Sequence, residues 1–244
     1  MQVIKTKDYQ ELSKVAADIL AAQVRLKPNS VLGLATGSTP IGLYRELIRK
    51  CHEEKLDFSQ VSTYNLDEYV GLTPDNDQSY RYFMNQQLFN HINIEMENTH
   101  LLSGVANDLN AEAKAYDAAI DAAGGLDLQL LGMGNNGHIG FNEPADHFTD
   151  GTNVIDLAES TIQANSRFFR NISEVPRQAI TLGYRHIMQA KTVLMVVSGK
   201  AKAETLAKVI GGEITPQVPA SILRLHPHAI VVADEEALSL VVGD

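Results

Sequence analysis

Short strand-like runs recur along this chain, separated by stretches with helical spacing, and that alternation rules out most architectures. Ser30–Thr36 (SVLGLAT), Val61–Asp67 (VSTYNLD), Leu126–Leu131 (LDLQLL), Ala179–Leu182, Val193–Val197 and Ile230–Val232 read as strands, with two more near 99–102 and 154–157. A strand buried on both faces carries a nearly continuous apolar run. Over 8–25, Leu12, Val15, Ala16, Ile19, Leu20 and Val24 form an apolar helical stripe, and helices are also expected over 40–54, 78–90, 110–122 and 161–170. Strands alternating with helices make βαβ units. The expected fold is therefore α/β: three αβα layers around a doubly wound, mainly parallel, Rossmann-like sheet. Neither a repeat nor a linker interrupts the 244 residues, which read as one domain, 1–244. Such sheets bind ligands beyond the carboxyl ends of their strands.

Composition narrows the partners. The formal net charge of −10 opposes nucleic acid and anionic membranes, so an anionic ligand needs a local positive site. The single cysteine, Cys51, allows no intrachain disulfide, which fits a reducing compartment. The N-terminal MQVIKTKDYQELSK has no apolar signal core, and no apolar run approaches the ~20 residues of a spanning helix. A cytoplasmic protein is expected.

Four constellations follow strand ends. Thr36-Gly37-Ser38-Thr39-Pro40 places small residues before a helix. Thr39 suits the N-cap and Pro40 the first helical position. The segment reads as a phosphate cradle or as an ordinary strand-to-helix turn. Asn65-Leu66-Asp67-Glu68-Tyr69 offers a carboxylate as general base, or an acidic loop or helix cap. Neighbouring acids on a strand point opposite ways, so only one faces a site.

Gly132–Pro144 (GMGNNGHIGFNEP) begins as GxGxxG, and Asp156 lies about 20 residues further on, as in a dinucleotide-binding fingerprint. That fingerprint requires a helix to start inside it, and Gly140 and Pro144 prevent one. The segment reads instead as a glycine-rich loop presenting His138 and Glu143, a pair able to move protons near neutral pH. A surface loop with an incidental histidine is the alternative. Lys200 and Lys202 open the helix after Val193–Val197, where a bound anion would offset their conflict with the dipole. Arg167, among apolar neighbours, is a further phosphate candidate, and Arg167 and both lysines also read as solvated surface charges. His226 and His228 flank Pro227 and read as a loop rather than a metal site.

Taken together, TGSTP (36–40), NLDEYVGL (65–72), GNNGHIGFNEP (134–144), ANSRFF (164–169), SGKAK (198–202) and LHPHAI (225–230) resemble the glucosamine-6-phosphate deaminase family. The resemblance implies conversion of D-glucosamine 6-phosphate and water to D-fructose 6-phosphate and ammonia, with no metal or organic cofactor and a small sugar phosphate as the partner. It further implies that Asp67 moves a proton between C2 and C1 of the open-chain sugar. By the resemblance, His138 is expected to open the pyranose ring, with Glu143 as its carboxylate partner. By the same resemblance Gly37, Ser38, Thr39, Arg167 and Lys202 are expected to hold the phosphate, with Lys202 preferred to Lys200.

Two departures stand out. Position 136 is Asn where longer members have Asp, so Glu143 alone is expected to supply charge beside His138, with Asn136 as a hydrogen-bonding third member. Where allosteric members carry an effector-phosphate site, this chain has Asp146, Asn153 and Ile155. The chain also ends shortly after its last strand. No activation by N-acetylglucosamine 6-phosphate is expected, and a monomer or small homo-oligomer is. The alternatives are a 6-phosphogluconolactonase, which is similar in fold but typically follows its Gly-His with a different run, and a sugar-phosphate-sensing domain of a transcription regulator. The latter would need a DNA-binding segment, for which helix 8–25 leaves no room, and has no use for Asp67, His138 and Glu143 together.

Overall fold

A computed structural model describes residues 1–241. The chain runs β1 (Gln2–Thr6), α1 (Tyr9–Leu26), β2 (Val31–Leu34), α2 (Ile41–Glu53), β3 (Ser62–Asn65), β4 (Asp67–Tyr69), α3 (Tyr80–Gln87), β5 (Thr99–His100), α4 (Leu109–Ala122), β6 (Leu128–Leu131), β7 (Asn153–Asp156), α5 (Glu159–Asn165), β8 (Gln178–Thr181), α6 (Tyr184–Gln189), β9 (Thr192–Val197), α7 (Ala203–Gly211) and β10 (Ala229–Asp234). Seven strands form one sheet in the order β1-β10-β9-β6-β2-β3-β5, and every pairing in it is parallel. The α/β expectation holds. β2, β6 and β9 are buried along nearly their whole length, as a sheet covered on both faces requires.

The winding fixes where a ligand can sit. From β2 the chain fills one side of the sheet with β3 and β5, and after β6 it fills the other with β9 and β10. β2 and β6 are neighbours, so the loops leaving their carboxyl ends diverge and open a crevice between them. The loops 36–40 and 132–144 are those two loops.

The fold also contains a second, three-stranded antiparallel sheet, β4-β8-β7. It corrects the reading of Val61–Asp67 as one strand. The N–H of Leu66 donates to the Leu34 carbonyl of β2, while the Leu66 carbonyl accepts from the N–H of Leu182 after β8. One residue therefore bonds to both sheets, and the chain leaves the first for the second between Asn65 and Asp67.

Other boundaries differ more modestly. Helix 161–170 is α5, Glu159–Asn165, followed by a 3-10 turn at Ser166–Phe168. Lys200–Lys202 is a 3-10 turn that precedes α7 rather than its first turn. Thr39 is not an N-cap and Pro40 is not the first helical residue. Pro40 itself is the cap position of α2, without a side-chain cap. The Tyr9 hydroxyl of α1 takes over: it accepts from the Gly42 N–H at 2.8 Å and donates to the Thr39 carbonyl at 2.9 Å. A Cβ on Gly42 would lie 2.2 Å from Ser13 Oγ, so this close approach of α1 to α2 requires glycine.

Candidate active site

The loop after β6 is held closed by its own backbone. The Gly134 N–H donates to the His138 carbonyl at 2.9 Å, and the Gly137 N–H donates to the Gly134 carbonyl at 3.1 Å. The His138 ring then lies directly over Gly134, where a Cβ would come within 2.1 Å of it. Between β6 and α5 the described residues form no helix, which agrees with rejecting a dinucleotide site. At the loop's far end the Asn142 side-chain amide donates to the carbonyls of Ile139 and Leu182, at 3.0 and 2.8 Å.

Three side chains of this loop meet. Asn136 Nδ2 donates to Glu143 Oε2 at 2.6 Å, and Asn136 Oδ1 lies 2.7 Å from His138 Nδ1. His138 Nδ1 also stands 3.5 Å from Glu143 Oε2. An ionised carboxylate only accepts, so it fixes the amide with nitrogen toward Glu143 and oxygen toward His138. His138 Nδ1 must then carry the proton, which leaves Nε2 with a free lone pair in the neutral ring. Burial pushes the Glu143 carboxyl up, but His138, Thr161 and Asn136 outweigh it and hold it below the usual range.

Asp67 reaches the same crevice from another sheet. It opens β4, pairs with Thr181 of β8, and its Oδ2 would lie 3.4 Å from a Cβ on Gly140. It is 6% exposed, and burial, with Glu68 adding to it, pushes its carboxyl up to about 8. Glu68 points elsewhere. Its carboxylate accepts the N–H groups of Tyr69, Tyr80 and Arg81 at 2.8, 2.9 and 3.1 Å, which caps α3. The rule that only one of two neighbouring acids faces the site thus selects Asp67.

The positive groups come from two directions. Lys202 Nζ donates to the Met133 carbonyl at 2.7 Å, directly on the floor of the motif loop. Burial, and then the nearby Arg167 guanidinium, push its ammonium down to about 8. Lys202 and Arg167 are therefore electrostatic neighbours although 35 positions apart in sequence. Lys200 is exposed. Asp234, at the end of β10, steadies the lysine loop by accepting from the Gly199 N–H at 3.0 Å and from the Ser198 hydroxyl. In the loop that follows β2, Gly37 (φ +96°) and Ser38 are exposed and Thr39 is half-buried. With the Ser38 and Thr39 carbonyls turned toward Tyr9, this loop stands beside the motif loop at the crevice.

Two participants escaped the sequence reading. Thr161 of α5 donates its hydroxyl to Glu143 Oε1, and Tyr9 shapes the 36–40 loop from α1. A threonine in a first helical turn and a tyrosine at a helix start are common, and neither stands near its partner in sequence. Among the described residues, no group of three or more His, Cys, Asp or Glu converges as a metal site would.

Comparison with known proteins gives a consistent set of relatives. The family model for glucosamine-6-phosphate isomerases/6-phosphogluconolactonase matches residues 6–232. The chain is 58% identical over 232 residues to the glucosamine-6-phosphate deaminase of Lachnoclostridium phytofermentans, covering 95% of this chain and 98% of that one. It superposes with a TM-score of 0.96 on a solved monomeric glucosamine-6-phosphate deaminase, at 46% identity, covering 98% of this chain and 100% of that one. A 6-phosphogluconolactonase from Thermotoga maritima has a TM-score of 0.72 at 20% identity, covering 96% and 99%, a likeness of fold alone.

Proposed function

This chain belongs to the glucosamine-6-phosphate isomerase/6-phosphogluconolactonase family, and from that premise we infer that it is a deaminase, converting D-glucosamine 6-phosphate and water into D-fructose 6-phosphate and ammonia. The observation that carries the choice within the family is the gap in identity: 46–58% to deaminases against 20% to the lactonase. This retires the lactonase and the sensing domain as leading readings.

His138 Nε2 takes the proton of the anomeric hydroxyl, and the resulting imidazolium gives one to the ring oxygen, which opens the pyranose. Glu143, through Asn136 and by its own charge, stabilises the imidazolium in between. Asp67 then removes the C2 proton while O1 gains one, which forms an enolamine. Asp67 returns its proton to C1, and the C2 iminium is hydrolysed to the ketone and ammonia. One carboxylate suffices because the proton leaves and returns on adjacent carbons. The raised Asp67 carboxyl suits this step, since a stronger base is better matched to a weakly acidic carbon.

Lys202 and Arg167, with the N–H groups and hydroxyls of Gly37, Ser38 and Thr39, bind the phosphate. Contacts this far from the reacting carbons supply orientation, and they allow an acidic protein to hold an anion. We take the protein to act in the cytoplasm as a monomer or small homo-oligomer. Its support is the single cysteine, the monomeric relative and the lack, among the described residues, of any helix long and apolar enough to cross a membrane. Ammonia release and fructose 6-phosphate formation from glucosamine 6-phosphate, for wild type and Asp67→Asn, test the assignment. An inactive wild type that hydrolyses the lactone of 6-phosphogluconate would overturn it.

A further inference from the structure

The Glu143 carboxylate is held at both oxygens, from two separate parts of the chain. Oε2 takes the Asn136 amide and faces His138. Oε1 takes the hydroxyl of Thr161, which is 5% exposed. Thr161 is itself fixed, because its backbone N–H donates to the Ala158 carbonyl at 2.9 Å as α5 begins. A glutamate carboxylate turns freely about its last torsion, a broad and roughly two-fold one. Bound at one oxygen it still swings, and bound at both it cannot.

We propose that Thr161 is a positioning residue for ring opening, locking the Glu143 carboxylate so that its second oxygen stays aimed at Asn136 and His138. The proposal rests on the reading of His138 and Glu143 as the ring-opening pair. It gains weight from what else the same segment carries. Asn165, at the end of α5, donates to the Tyr69 hydroxyl at 2.8 Å, and Tyr69 shares β4 with Asp67. Arg167, in the turn that follows, is the electrostatic neighbour of Lys202. One stretch of backbone thus joins the phosphate contact, the strand of the isomerising base and the ring-opening carboxylate. Phosphate binding that fixes this stretch also fixes Glu143, a route by which remote binding energy reaches the reacting atoms.

The test compares Thr161→Val, Thr161→Ala and Thr161→Ser with Glu143→Gln and with the double variant Thr161→Val/Glu143→Gln. For each, kcat with glucosamine 6-phosphate is measured alongside inhibition by 2-amino-2-deoxyglucitol 6-phosphate, an acyclic analogue that needs no ring opening. The expected result is a fall in kcat of about ten- to a hundredfold for Val and Ala, the loss of one hydrogen bond to a charged group. The acyclic inhibitor should bind as to wild type, Ser should recover most of the rate, and Val should add nothing in the Glu143→Gln background. Wild-type kcat in Val and Ala while Glu143→Gln is slow overturns the proposal and leaves the ring-opening pair standing. So does weakened inhibitor binding in step with kcat, which would make Thr161 merely structural. Wild-type rates in Glu143→Gln would remove the ring-opening reading and this proposal with it.

Discussion

Asn136 places its amide nitrogen 2.6 Å from a carboxylate oxygen of Glu143, and so turns its own oxygen toward His138. A neutral residue here does what a second carboxylate could not do without penalty. It accepts from the imidazole while donating to the acid behind it, so the tautomer of His138 follows from hydrogen-bond direction alone.

Exchanging that amide for an acid should therefore be visible. In Asn136→Asp, two carboxylates would meet where a donor and an acceptor now do. Like charges that close cannot both ionise, so one proton is retained between them. The pH–kcat profile is expected to change shape, and the rate to change with it. If pH–rate measurements find both unchanged, Glu143 is not the sole source of charge beside His138.

Asp67 couples activity to stability with opposite signs. As a base it must be deprotonated, so kcat at saturating substrate should climb as pH rises through about 8. The folded carboxyl is raised above its ordinary value of 3.8, so the fold favours the protonated form. The stability this contributes is complete below the ordinary value and is lost as pH rises through about 8. Asp67→Asn should lower kcat by about 10³-fold. It should also be more stable than wild type at pH 9, by up to roughly 5 kcal/mol, with a smaller gain at pH 5. Thermal unfolding at both pH values checks this, and an equal gain at both would contradict the buried charge.

Much of this arrangement was legible in the sequence, because β2, β6 and β9 are short apolar runs ending in glycine-bearing loops. The switch from one sheet to the other at Leu66 was not. Both halves of VSTYNLDEY are extended, and side-chain periodicity is blind to which sheet a residue bonds. The choice of Lys202 over Lys200 came from the resemblance, and its physical reason is three-dimensional: Lys202 is pinned to the Met133 carbonyl. Thr161 reaches Glu143 across 18 positions, through a fold-back that no local pattern encodes.

Regulation is expected to be absent at the positions where the family resemblance implies an effector-phosphate site in allosteric members. Asp146 is exposed and acidic, the Asn153 amide is engaged with the Gly151 carbonyl at 3.0 Å, and Ile155 lies in β7, packed against an apolar cluster. None of the three carries positive charge toward a phosphate. Saturation with glucosamine 6-phosphate should be hyperbolic and unmoved by N-acetylglucosamine 6-phosphate. A sigmoidal curve that this compound makes hyperbolic would contradict the expectation.

Phosphate affinity should carry the signature of a buried lysine. Burial and Arg167 hold the Lys202 ammonium down to about 8 in the free protein, so its charge is present below that pH and fades above it. A phosphate dianion favours the charged form, and binding must weaken as the lysine deprotonates. The inhibition constant of inorganic phosphate is therefore expected to rise with pH above about 8. Lys202→Gln keeps a donor for the Met133 carbonyl but loses the charge. Its KM should increase by about ten- to a hundredfold, the worth of one charge-assisted contact, and its phosphate inhibition should lose the alkaline rise. Because Lys202 touches no reacting carbon in this reading, kcat should change less than KM. A variant with wild-type KM and an intact alkaline rise would move the phosphate site away from Lys202, and with it the reason for a second cation, Arg167, at its side.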